Sequence, residues 1–87
     1  MTSVPNEPVG DYVLTLACPD RPGIVHAVTK FLMRHGGNIM ESQQFGDQRQ
    51  GRFFMRLNVT LAEPTTAQSL RAEFAAVAER FDMDFEL

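Results

Sequence analysis

The sequence predicts an α+β fold, a ferredoxin-like β-α-β-β-α-β sandwich. Four antiparallel strands form one sheet and two helices cover one of its faces. Three observations carry the prediction. Apolar residues alternate with period two at 12–18, 52–61 and 82–87, and more weakly at 38–45. Between the first and second of the four strands, and between the third and fourth, the period changes to that of a helix. Right-handed crossovers fold that order into a single sheet with both helices on the same side.

Residues 1–10, "MTSVPNEPVG", hold two prolines and a glycine and read as a mobile lead-in, leaving 11–87 as the domain. In the first strand Tyr12, Leu14, Leu16 and Cys18 fall on one side, with Val13, Thr15 and Ala17 on the other. Both sides are largely apolar, as in a central strand. From Ile24 a helical stripe runs through Val28, Phe31, Leu32 and His35, with His26, Lys30 and Arg34 largely turned away. Gly36 and Gly37 supply the positive φ that commonly ends a helix. Asn38 to Phe45 is polar enough for a sheet edge, and "GDQRQG" turns the chain. Phe53, Met55, Leu57, Val59 and Leu61 then face inward from the clearest strand. Pro64 ends it, and Thr65 with Gln68 predicts a capping box for a helix whose inner face is Leu70, Phe74, Val77 and Phe81. Met83, Phe85 and Leu87 point inward from a last strand that runs to the final residue, which suggests a cut from a longer protein.

Composition narrows the function. A formal charge of -3 argues against nucleic acid, because phosphate contacts need a surplus of Lys and Arg. "RQGRFFMRL" has a faint look of an RNA-recognition strand, with Phe54 on the open sheet face, yet the first strand offers no second stacking platform. One cysteine excludes an internal disulfide, a Cys-based zinc site and a two-cysteine metal carrier, and suits a reducing cytoplasm. His26 and His35 have no third ligand nearby in sequence, so no metal is expected. No run is apolar enough to span a membrane, and no nucleophile–base pair or carboxylate dyad stands out. These residues alone are expected to catalyse nothing and to need no cofactor.

The remaining signal is "CPDRPGIV". Pro22 fixes φ at a helix start, where its missing N–H costs nothing. Gly23 lets a ligand approach the backbone, and the free N–H groups of a helix start favour a carboxylate. Asp20 is placed to accept from N–H groups near Gly23 and Ile24, and Asn38, at the start of the second strand, is expected close by. Two readings follow. Either Asp20 caps the helix while Pro22 and Gly23 shape the turn, or this corner holds a free amino acid, carboxylate to the helix start and amine to Asp20 or Asn38.

"PDRPGIV" followed by "GGNI" resembles the signature of ACT domains, small regulatory modules that usually bind amino acids between paired copies. With "CPDRPGIVHAVTKFL", "GNIMESQQFGD" and "GRFFMR" in that order, the chain resembles the N-terminal domain of formyltetrahydrofolate deformylases over nearly its whole length. The resemblance implies a cytoplasmic hydrolase that converts 10-formyltetrahydrofolate and water to formate and tetrahydrofolate. Its catalytic Asn, His and Asp belong to a formyltransferase-like domain with no counterpart in these residues. It also implies pairing into a homo-oligomer and an effector site at Asp20, Arg21, Pro22, Gly23, Ile24 and Asn38. Glycine and methionine are candidate effectors on metabolic grounds, since both exchange material with the one-carbon pool. An assembly module without a small-molecule site, or half of a free-standing two-ACT regulator, is the alternative. Phe54, Val13 and Ala17 would leave an apolar patch on the open sheet face, to be covered by a second copy or by the catalytic domain.

Overall fold

The computed structural model describes residues 10–87. The expected lead-in lies outside the described residues except for Gly10, which opens the first strand. The elements are β1 (Gly10–Pro19), α1 (Ile24–Arg34), β2 (Gly37–Asp47), β3 (Arg52–Leu61), α2 (Ala67–Phe81) and β4 (Asp84–Glu86). The sheet order is β2-β3-β1-β4, with every neighbouring pair antiparallel. The ferredoxin-like plan is therefore present, with β1 and β3 at its centre.

Alternation decides which face each strand buries. Leu14, Leu16 and Cys18 of β1 and Met55, Leu57, Val59 and Leu61 of β3 point to the helices and are buried. Ile24, Ala27, Val28, Phe31 and Leu32 meet them from α1, and Leu70, Phe74, Ala78 and Phe81 from α2. Phe74 is fully buried, with Phe31 edge-on at 5.1 Å and Phe85 edge-on at 4.8 Å between ring centroids. Burying one such ring contributes roughly 1.5–3 kcal/mol.

Several local expectations are corrected. Only Gly36 of the glycine pair has positive φ, at 66°. Gly37 is needed for room, since a Cβ there would lie 2.8 Å from the Leu32 carbonyl oxygen. The α2 cap is Thr66, whose hydroxyl accepts from the Ser69 N–H at 3.0 Å, one residue later than the expected box. The Thr65 carbonyl instead accepts from the Tyr12 hydroxyl at 3.4 Å. His35 keeps its place on the inner stripe, its ring against Phe31 and its buried Nε2 3.2 Å from a Glu73 carboxylate oxygen, though misaligned for a hydrogen bond. Only three residues of β4 pair with β1.

Strand direction has the largest consequence for function. β1 and β2 are both antiparallel to β3, so they run the same way. The eleven residues of α1, about 16 Å long, carry the chain back to the end of the sheet where β1 began. The β1–α1 loop and the start of β2 therefore lie at opposite ends.

Candidate functional site

The loop from Asp20 to Gly23 leaves the sheet at the end marked by Pro19, Arg52 and Asp47. The Asp20 N–H donates to the Gly51 carbonyl at 2.8 Å, which extends the β1–β3 pairing by one residue and fixes where the loop begins. The chain then turns into α1 at Gly23, whose φ of 94° is strained for any residue with a side chain.

No side chain caps α1. The expected Asp20 cap is not formed. The Asp20 carboxylate reaches over β2 instead, with one oxygen 4.0 Å from where a Gly46 Cβ would be. The result is a small corner with three parts: an exposed carboxylate, an uncapped helix start and a bare backbone position at Gly46. Its chemistry suits a zwitterion, with an ammonium group on Asp20 and a carboxylate at the N–H groups of α1. Pro22 is exposed at the rim, while the Ile24 side chain is buried in the core, so Ile24 can offer only its backbone.

Arg21 does not join that corner. Its guanidinium donates to the Arg80 carbonyl at 2.6 Å, near the end of α2, and lies over the Phe81 ring at 5.1 Å. Arg80 lies over the same ring at 4.7 Å. A cation beside the last carbonyls of a helix is favourably placed, so Arg21 ties the loop to α2.

Asn38 does not join it either within one chain. It pairs with Thr60, and Thr60 with Asp11, nine positions along β1 from Asp20. At ~3.3 Å per strand residue the separation is about 30 Å. Its amide donates to Met40 Sδ at 3.3 Å. The expectation that the loop and Asn38 share a corner of one chain fails because a helix between two parallel strands must return to the starting end.

The sequence places Phe81 on the inner face of α2 and Gly46 at the start of the turn, so what escaped sequence reasoning is Phe81 beneath Arg21 and Gly46 within β2 beside Asp20. A glycine inside a strand does signal a close approach, and "FGD" carried that signal. Cys18 is fully buried beneath the loop. Burial pushes its thiol pKa up, against the smaller lowering pull of Arg52 and Arg21, so it is poorly suited to act as a nucleophile. No group of three or more possible metal ligands occurs among the described residues, and none of their helices is long and apolar enough to cross a membrane.

Comparison with known proteins addresses what such a fold and corner belong to. A family model for the ACT domain matches residues 12–74. The chain belongs to the ACT domain family. This ACT domain is 48% identical over 77 residues to formyltetrahydrofolate deformylase of Corynebacterium sp. (strain P-1), covering 87% of this chain and 27% of that protein. The deformylase of Bacillus subtilis is 50% identical over 76 residues, 85% of this chain and 25% of that protein. A crystal structure of a formyltetrahydrofolate deformylase from Pseudomonas syringae superposes with a TM-score of 0.83 at 39% identity, over 87% of this chain and 26% of that one. An ACT domain protein from Streptococcus pneumoniae gives 0.75 at 25% identity, over 87% of this chain and 84% of that one. The ACT domain thus spans about a quarter of the length of its deformylase relatives.

Proposed function

We propose that this ACT domain is the regulatory part of a cytoplasmic formyltetrahydrofolate deformylase. It binds a free amino acid and pairs with a second copy of itself. The reaction, hydrolysis of 10-formyltetrahydrofolate to formate and tetrahydrofolate, belongs to a formyltransferase-like domain outside these residues. The observation that carries the amino-acid reading is the corner at Asp20, where an exposed carboxylate, an uncapped helix start and side-chain-free Gly46 adjoin. Pro22 and Gly23 set the entry to the helix, and the Ile24 N–H is among the groups that receive the ligand carboxylate.

Asn38 enters this site only from a second copy. β2 is an edge strand of eleven residues, nine of them exposed, with no Lys or Pro to discourage pairing. Beside it Val25 and Met33 of α1 and Ile39 and Met40 of β2 are exposed apolar residues. Antiparallel pairing of two β2 edges about a two-fold axis brings the start of the partner strand to the Asp47 end, where the Asp20 loop lies. A ligand bridging Asp20 and the partner's Asn38 favours one arrangement of the pair. It thereby shifts the population that the attached domain samples.

The test is thermal unfolding against the twenty amino acids at two protein concentrations, with glycine and methionine as first candidates. A stabilisation by one or two of them that Asp20→Ala and Asn38→Ala both remove supports the site. A stabilisation that survives both substitutions refutes the assignment. A midpoint that rises with protein concentration and ignores every amino acid favours an assembly module without a ligand, the reading that the long exposed edge of β2 supports by itself. The reading frame beyond Leu87 separates a deformylase from a regulator made of two ACT units.

A further inference from the structure

The face of the sheet away from the helices is uncovered, and the strand register fixes its pattern. One row across β2, β3, β1 and β4 reads Phe45, Phe54, Ala17, Asp84. The next reads Gln43, Arg56, Thr15, Glu86. Beyond these lie Glu41, Asn58 and Val13 on one side and Asp47, Arg52 and Pro19 on the other. Phe45 and Phe54 are 6.1 Å apart between centroids, and they remain 63% and 37% exposed, with Val13 at 41%. Large aromatic rings thus sit on one half of the face and small residues on the other. The charges divide as well, with Arg52 and Arg56 on β3 flanked by Glu41 and Asp47 on β2 and by Asp84 and Glu86 on β4.

We infer that this face is a self-association surface, on which a second copy packs sheet to sheet about a two-fold axis parallel to the strands, between β1 and β3. That axis lays β3 of one copy over β1 of the other. Phe54 then meets the partner's Ala17 twice over, large against small, at the ~10 Å spacing and ~30° angle of aligned sheets. Arg56 stands over the partner's Thr15, one strand from the partner's Glu86 and within reach of its carboxylate. Arg56 and Glu86 thus meet groups of opposite or no charge, while Asp47 comes level with the partner's Asp82, with Arg52 beside it. An axis across the strands would instead stack each strand on its own copy. It would bring Arg56 against Arg56 when centred on that row, or Asp84 against Glu86 when centred between the two rows. The charge pattern therefore selects the first axis. In the single chain Arg56 has only a loose, exposed contact with Glu41 at 3.9 Å, which leaves it free to turn.

Three strands of about ten residues and a short fourth give a face of roughly 500 Å² per copy at the usual strand spacing. The total of about 1,000 Å² is at the lower limit for a specific interface, so the association is concentration-dependent. This interface is separate from the β2 edge and does not depend on the amino-acid site.

Sedimentation equilibrium on the 87-residue chain tests it, comparing wild type, Arg56→Glu, Glu86→Arg and the double reversal. Both side chains are exposed, and circular dichroism checks that each variant is folded. Each single reversal is expected to weaken association about tenfold or more, and the double reversal to recover to within about threefold of wild type. Association through the β2 edge would pass unchanged through all four proteins. Masses that ignore the single reversals, or a double reversal no better than either single, would overturn the inference. So would a chain that stays monomeric at every concentration, which would leave the face to another partner.

Discussion

Removing the Arg21 side chain separates its two possible roles, ligand contact and structural tie. In the structure it makes one charge-assisted hydrogen bond, 2.6 Å long, to the Arg80 carbonyl and one cation–π contact with Phe81 at 5.1 Å. A hydrogen bond to a charged group contributes about 1.5–3 kcal/mol when sheltered, and this one is exposed, so the lower end or less applies. The exposed cation–π contact adds about 0.5–1 kcal/mol. Arg21→Ala should therefore cost about 1–2 kcal/mol in all. For a domain of this size each kcal/mol shifts the melting temperature by about 4–8 °C, so the expected drop is roughly 5–15 °C. Arg21→Lys keeps the charge without the planar fork and should recover part of it. The assay is a circular dichroism melt of the three proteins, with and without whichever amino acid stabilises the wild type. A melting temperature within about 2 °C of wild type, combined with loss of ligand stabilisation, would refute the structural role and return Arg21 to the ligand.

Other substitutions probe the corner, the turn and the core. Gly46→Val puts a branched side chain against the Asp20 carboxylate, in a strand that tolerates β-branching. It should abolish the amino-acid melting shift while changing stability by no more than about 0.5 kcal/mol, read from melts with and without ligand. Gly37→Ala drives a methyl group to 2.8 Å from the Leu32 carbonyl oxygen and should cost about 1–3 kcal/mol in urea unfolding. Phe74→Ala empties the centre of the aromatic cluster, and a loss of about 3–5 kcal/mol is expected in the same assay. Cys18 should resist alkylation at neutral pH until the chain unfolds. Its folded thiol pKa is raised, so its contribution to stability is present below the ordinary thiol pKa and is lost as pH rises through the raised folded value. A pH series of urea midpoints, compared with Cys18→Ala, measures that loss.

Much of the fold could be read from single residues. Met55, Leu57, Val59 and Leu61 alternate without a break, and all four are buried. Ile24, Val28, Phe31 and Leu32 fall on one helical stripe, and that stripe is the buried one. Local pattern suffices there because one packed face dictates it. Arg21 was not legible, since its partner is 59 positions away and meets it only once α2 is docked. Asp20 looked like a cap from spacing alone, but its backbone is held by Gly51 and its carboxylate lies by Gly46 of β2, so α1 starts without a side-chain cap. The position of Asn38 was legible and was misread. Parallel strands joined by a helix start at the same end, and that rule alone separates Asn38 from the loop.

The bulge in β2 bears on how this strand can change length. Ile39 pairs with Val59 and Glu41 with Asn58, leaving Met40 as the supernumerary residue. Without Met40 the two flanking pairs would simply adjoin, and every other residue of β2 would keep its partner and its face. A deletion of one residue at this point is therefore silent for the sheet. A deletion a few positions later would turn the residues on one side of the gap over, lifting Phe45 off the open face or Ile39 off the helix side. Among homologous chains, differences of one residue in the length of β2 should gather at Met40.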